Sequence, residues 1–203
     1  HAISLMFAVA REITEANQSL RRGEWLDEKF IGTEIDNKNV GLIGHGNVGR
    51  KIEHILLGLT KQVKFINSKS NIETIDNLIS WADIIFVCAS LNERTRHMID
   101  ARRLDTLKPG AIIINISRGA IIDENALYNR LKKGDISAGL DVFEQEPSNG
   151  KVGEMISQLA NLPNVVVTPH IAYNTKESGE KLGREIIENI KACLIGQPIN
   201  IVS

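Results

Sequence analysis

The feature that most constrains this chain is a six-residue stretch, Gly44-His45-Gly46-Asn47-Val48-Gly49, which follows the apolar run Val40–Ile43 and opens a helical pattern over Val48–Leu57. A G-x-G-x-x-G between a strand and a helix is a demanding piece of backbone. The first glycine permits a tight turn, the second lets a ligand's phosphates approach the main chain, and the third lets the helix lie close on the strand. The helix N-terminus then offers unpaired N–H groups and a partial positive charge to an anion. A glycine-rich turn with no ligand is the plain alternative. The strand–loop–helix setting favours a dinucleotide.

The rest of the chain repeats the alternation. Short apolar runs at Val40–Ile43, Val63–Ile66, Ile84–Cys88, Ala111–Asn115, Ala138–Leu140 and Val165–Val167 read as strands. Helical patterns lie between most of them, at Val48–Leu57, Ile75–Trp81, Glu124–Lys133 and, weakly, Glu154–Leu159. Residues 2–22 read as one leading helix stopped by Gly23, and a long last helix covers about Lys176–Ile195. Strands that are apolar throughout are buried on both faces, as in a parallel sheet covered by helices. The expected fold is therefore α/β: a Rossmann-type, doubly wound parallel sheet with helices on both faces. We expect one domain over residues 1–203.

Charge narrows the partners. With 24 basic and 25 acidic residues the net charge is −1, so no broad basic face is available for nucleic acid. The apolar opening is interrupted by Arg11 and Glu12 and is too short to span a bilayer. Cys88 and Cys193 stand far apart without metal-binding spacing, so no metal is expected; free thiols fit a reducing, cytoplasmic setting.

The second strand ends in Asn67-Ser68-Lys69. An acidic residue at about this distance, roughly 20 residues past the glycines, would hold an adenosine ribose and repel a 2′-phosphate. None is present, and Lys69 can attract a phosphate, although it also reads as a solvated surface lysine. NADP(H) is expected over NAD(H).

Three polar segments follow three later strands: Asn115-Ile116-Ser117-Arg118-Gly119, Asp141 through Pro147, and Thr168-Pro169-His170. In open α/β sheets the ligand crevice lies beyond the carboxyl ends of the strands. An arginine that can grip a carboxylate, a carboxylate and a titratable histidine thus converge on the edge that holds the glycine loop. Each also has a plain structural use: Arg118 in a surface ion pair, Glu146 in a turn before proline, His170 as a satisfied buried histidine. All three together, below a dinucleotide loop, favour chemistry.

These residues carry a resemblance. "VGLIGHGNVG", "NISRGAIIDENAL", "GLDVFEQEP" and "NVVVTPHIA" resemble, in order, the signature stretches of the D-isomer-specific 2-hydroxyacid dehydrogenases, in their cofactor-binding domain. The resemblance implies hydride transfer between NAD(P)(H) and a small 2-keto or 2-hydroxy acid. It implies that Arg118 binds the substrate carboxylate and carbonyl, that Glu146 pairs with the histidine, and that His170 is the acid/base. It places Asp141 near the nicotinamide carboxamide. Gly44, His45, Gly46, Asn47, Val48, Gly49, Asn67, Ser68, Lys69, Ala89, Ser90, Ser117, Asp141 and His170 are the expected cofactor contacts. Ser90 departs from the proline usual in the family, and Asn67 resembles the NADP-dependent members. Family members carry an N-terminal substrate domain, so the chain looks like part of a longer protein, with 199–203 as a tail toward that domain and Tyr173 near its pocket. A homodimer built through this domain is implied. Formate- or phosphite-type dehydrogenases of the same fold, and a dinucleotide-sensing corepressor, share these stretches and stay open as alternatives.

Overall fold

The computed structural model describes residues 1–60 and 62–201; Val202 and Ser203 of the expected tail lie outside the described residues. In chain order the elements are α1 (Ala2–Ala10), α2 (Ile13–Arg21), β1 (Asn39–Ile43), α3 (Asn47–Leu56), β2 (Gln62–Ile66), α4 (Ile72–Trp81) and β3 (Ile84–Val87). They continue with α5 (Ala101–Asp105), β4 (Ile112–Asn115), α6 (Glu124–Leu131), β5 (Ser137–Leu140), α7 (Glu154–Ala160), β6 (Val165–Val167) and α8 (Lys176–Leu194). The contacts group into two compact units, His1–His170 and the segment from Ile171 onward.

The first unit holds a six-stranded sheet of order β2-β1-β3-β4-β5-β6, with every pair parallel. Alternate side chains of each strand feed two separate cores. Ile84 and Phe86 join Leu5, Met6, Ile52 and Leu56 on the face covered by α1 and α3. Ile85 and Val87 join Leu78, Leu104, Leu127 and Leu159 on the face covered by α4–α7. Burial on both faces explains why β3 and β4 read as continuous apolar runs. β2 is the exception: as an edge strand it leaves Lys64 and Phe65 exposed.

The leading helix is two helices, not one. The Ala10 carbonyl accepts the Thr33 N–H at 2.7 Å instead of continuing the helical ladder. Gly32 lies against Ala10 and Arg11, and Glu12 turns left-handed (φ 49°). The returning loop thus breaks a pattern that helical spacing alone carries through. The short α5 was not expected; Asp100 caps it by accepting the Arg103 N–H at 2.9 Å.

The chain leaves β1 for β2 on one side, then crosses over so that β3 pairs with the other side of β1. That reversal opens a crevice at the carboxyl ends of β1 and β3, where ligands bind in such sheets. The second unit consists of α8, capped by Thr175 accepting the Ser178 N–H, and the turns around it.

Candidate active site

The glycine loop stands at that crevice. Gly44 has φ 102°, and a β-carbon on it would lie 2.5 Å from the Ala89 nitrogen, so β1 and the segment after β3 approach as closely as backbone allows. Gly49 has no more room, its β-carbon position overlapping the Gly44 carbonyl oxygen. Gly46 is the opposite: apart from itself and its chain neighbours His45 and Asn47, no heavy atom of the described residues lies within 4 Å of the place its β-carbon would take. Two glycines serve packing, and the middle one leaves an opening at the first turn of α3. A cleft of about 330 Å³ continues from it, lined by Gly44, His45, Gly46, Asn67, Ser68 and Ser90. Cys88 also lines it; burial pushes its thiol up to about 12.

Local bonds shape the far end of this cleft. Asn67 Oδ1 accepts the Lys69 N–H at 2.9 Å, and Ser70 Oγ accepts the Asn67 N–H at 3.1 Å. The Asn67 amide oxygen is spent on its own turn. Ser68 lines the cleft, while Lys69, the next residue, is exposed and lies outside its lining.

Beyond β4, buried Asn115 organises the turn that carries Arg118. Its Oδ1 accepts the Ser117 N–H at 3.1 Å, and its Nδ2 donates to the Arg118 carbonyl at 3.0 Å. Arg118 donates from Nη1 to the Ser117 carbonyl at 2.6 Å and is exposed. Among the described residues Ser117 Oγ is the one buried side-chain polar atom with no hydrogen-bond partner.

Beyond β5 and β6 the expected pair forms. His170 Nδ1 lies 2.7 Å from Glu146 Oε2, with both side chains about one-third exposed. The other carboxylate oxygen, Oε1, accepts the Phe143 N–H at 3.3 Å. His170 adopts φ 53°, and its N–H reaches the carbonyls of Asp141 (2.8 Å) and Thr168 (3.1 Å). Asp141 is wholly buried. Its Oδ1 accepts the Thr168 hydroxyl at 2.5 Å and lies 3.2 Å from His1 Nε2. A second cleft, of about 380 Å³, has Glu146 and His170 in its wall beside Phe143, Ile156 and Val167.

The structure therefore puts Gly44, His45, Gly46, Asn67, Ser68, Ala89 and Ser90 around one cleft, whereas Asn47, Val48 and Gly49 form the first turn of α3 and, like Lys69, Ser117 and Asp141, do not line it; Glu146 and His170 stand together at the same sheet edge. Tyr173 belongs to the second unit and is exposed. Several participants were missed from sequence. Glu144 Oε1 accepts from His97 Nε2 at 3.0 Å, while the Glu144 N–H donates to buried Glu124 at 2.5 Å. This clamp ties the segments after β3 and β5 together. Burial, ahead of the counteracting Glu144 N–H bond, raises the Glu124 carboxyl above its ordinary range. Arg50 bonds to the glycine loop, and its three-residue spacing from Asn47 on a helix was the available signal. Among the described residues no group of His, Cys, Asp and Glu is placed to hold a metal ion, and no helix is long and apolar enough to cross a membrane.

Comparison with known proteins adds four findings. Residues 3–172 match the family model described as D-isomer specific 2-hydroxyacid dehydrogenase, NAD binding domain. A hydroxypyruvate reductase of Thermotoga maritima is 37% identical over 197 residues, a match covering 93% of this chain and 63% of that protein. The solved pyruvate reductase of Chlamydomonas reinhardtii superposes with a TM-score of 0.90 at 30% identity, covering 99% of this chain and 67% of that one. An acyclic imino acid reductase solved in complex with NADPH and D-Arg gives 0.84 at 34% identity, covering 100% and 66%. The chain spans about two thirds of the length of these relatives.

Proposed function

This chain belongs to the D-isomer-specific 2-hydroxyacid dehydrogenases through their NAD-binding domain, and we propose that the protein it comes from interconverts a small 2-keto acid and its D-2-hydroxy acid. The observation that carries the reading is the 2.7 Å Glu146–His170 pair, standing at the sheet edge that also bears the glycine loop.

The residues fit a dinucleotide. The opening over Gly46 and the first turn of α3 suit a pyrophosphate, the cleft toward Ser68 suits the adenosine half, and orphaned Ser117 Oγ offers a partner to a polar group of the nicotinamide half. When bound, the dinucleotide supplies the hydride. The chain's own residues do the rest. Arg118 holds the substrate carboxylate and steadies charge on the keto oxygen. Glu146 engages His170 Nδ1 and fixes the ring, so that Nε2 exchanges the proton with the substrate oxygen. Thr168 and His1 hold the buried Asp141 carboxylate.

The preferred cofactor in this reading is NADP(H). It rests on the lack of an acidic residue at the end of β2, on Asn67 being tied into its own turn, and on the exposed Lys69 that follows Ser68. The substrate class is glyoxylate, hydroxypyruvate or pyruvate, the protein works as a homodimer, and the two unpaired cysteines suit the cytoplasm.

A panel assay on the complete protein, with NADPH or NADH and these three keto acids, tests the reaction. His170→Ala should lower kcat by roughly 10²–10⁴ and leave dinucleotide affinity nearly unchanged. Near-normal turnover in that variant would remove His170 from the mechanism. Lys69→Ala should weaken NADPH more than NADH, with added salt narrowing the gap; tighter NADH binding by the unaltered chain would refute the cofactor preference.

A further inference from the structure

A pyrophosphate lying over Gly46 needs donors facing it, and a repelling acceptor there would cost affinity. Asn47, the first residue of α3, is ambivalent in this respect. One end of its side-chain amide accepts and the other donates. Arg50, one turn further along the exposed side of α3, settles which end the loop presents. Its Nη2 donates to Asn47 Oδ1 at 2.8 Å, and its Nη1 donates to the His45 carbonyl oxygen at 3.3 Å. A single guanidinium thus occupies two acceptors on either side of Gly46. The amide NH₂ of Asn47 is the end left for an anion, and the arginine adds a positive charge and further N–H donors beside it.

His45 does not take this role itself. Its ring stacks on Phe65 with centroids 3.6 Å apart and planes 6° apart, and its Nε2 lies 2.7 Å from Glu53 Oε2. The side chain is committed to β2 and to the next turn of α3. Only its carbonyl faces the question that Arg50 answers.

We propose that Arg50 is a positioning residue of the phosphate site: by holding Asn47 Oδ1 and the His45 carbonyl, it turns the glycine loop into an all-donor surface for a pyrophosphate. The proposal rests on the dinucleotide reading above. It assigns binding energy to a residue outside the G-x-G-x-x-G hexapeptide, and it makes Asn47 and Arg50 a coupled pair rather than two independent contacts.

The test is calorimetric titration of the full chain with NADPH, ADP and adenosine. Arg50→Met removes every donor at similar bulk, and as an exposed substitution it should leave the circular dichroism spectrum and melting temperature unchanged. It should weaken ADP and NADPH about tenfold or more, the size of a lost hydrogen bond to a charged group, and leave adenosine alone. Arg50→Lys keeps the charge but cannot hold both acceptors in one planar fork, so it should recover only part of the loss. Asn47→Ala should cost clearly less in the Arg50→Met background than in the unaltered chain. Unchanged ADP affinity in Arg50→Met, an equal loss for adenosine, or losses at the two positions that simply add would each overturn the proposal. If the unaltered chain binds neither ADP nor NADPH, the dinucleotide reading falls and this inference falls with it. Binding by the unaltered chain with Arg50→Met unaffected removes the inference alone.

Discussion

Two glycines of the site predict opposite outcomes for the same substitution. A β-carbon on Gly119 would lie under 3.0 Å from the Phe143 carbonyl carbon and oxygen and from the Glu144 nitrogen, all backbone atoms. Restoring ordinary separations of ~3.5–4.0 Å requires the Phe143–Glu144 peptide to retreat by about 1 Å or more. That movement breaks the 2.5 Å bond from the Glu144 N–H to buried Glu124 and loosens the Phe143 N–H bond to Glu146. Overpacking costs about 1–3 kcal/mol and an unsatisfied buried polar group about 1–3 kcal/mol, so Gly119→Ala should destabilise the chain by about 2–6 kcal/mol. At roughly 2–4 °C per kcal/mol for a chain of this size, its melting point should fall by roughly 4–24 °C. Gly46→Ala meets no heavy atom of the described residues within 4 Å beyond its own chain neighbours, and its φ of −82° suits any residue. It should melt within about a degree of the unaltered chain, yet lose dinucleotide affinity because its methyl fills the opening. Scanning fluorimetry and calorimetric titration on both variants decide the matter. Equal melting points for the two variants, or unimpaired dinucleotide binding by Gly46→Ala, would refute the division between packing glycines and an open one.

Acid should expose a further support. Hydrogen bonds from Arg102 and Arg103 hold the Asp76 carboxyl down to about 2, below its ordinary 3.8. Its stabilisation is therefore fully present above the ordinary value and lost as pH falls toward 2. Unfolding curves of the unaltered chain and Asp76→Asn should differ at pH 6 and converge between pH 4 and 2; a gap that persists unchanged at pH 2 would show that the charge is not the source. The two thiols should differ in reactivity, since Cys88 is pushed up to about 12 by burial while Cys193 is exposed. Iodoacetamide at neutral pH, read by peptide mass mapping, should label Cys193 well before Cys88, and equal labelling would contradict the placement of Cys88 under the glycine loop.

The parts legible in the sequence are those set by local rules. Ile84–Val87 and Ile112–Ile114 announce themselves because a strand buried on both faces is apolar along its length, with the polar Asn115 only at the end of β4. Gly44 and Gly49 announce the loop because no other residue tolerates their backbone contacts, and Gly46 between them completes the spacing. Glu146 and His170 could be paired from their places after successive strands, since β5 and β6 are neighbours. Contacts arriving from distant segments were not legible. Helical spacing runs through Arg11 and Glu12, and only the return of Thr33 to the Ala10 carbonyl ends α1 there. His97 and Glu124 look like surface charges in sequence, and their shared role around Glu144 exists only once β3, β4 and β5 lie side by side. Arg50 was hidden differently: it sits beside the motif, but the hexapeptide describes the backbone and is silent about the side chains that brace it.

The left-handed backbone of His170 has a consequence for anyone engineering this domain. An L-residue with a β-carbon gives up roughly 1–2 kcal/mol in that conformation, whereas glycine gives up nothing and asparagine less. The N–H bonds to Asp141 and Thr168 keep the backbone there whatever side chain is attached. A library ranked by thermal tolerance would therefore tend to enrich His170→Gly and His170→Asn, and so discard the imidazole that meets Glu146. If His170 carries the proton as proposed, selection for robustness and selection for turnover pull this one position in opposite directions, and an evolution campaign on the protein has to hold it fixed.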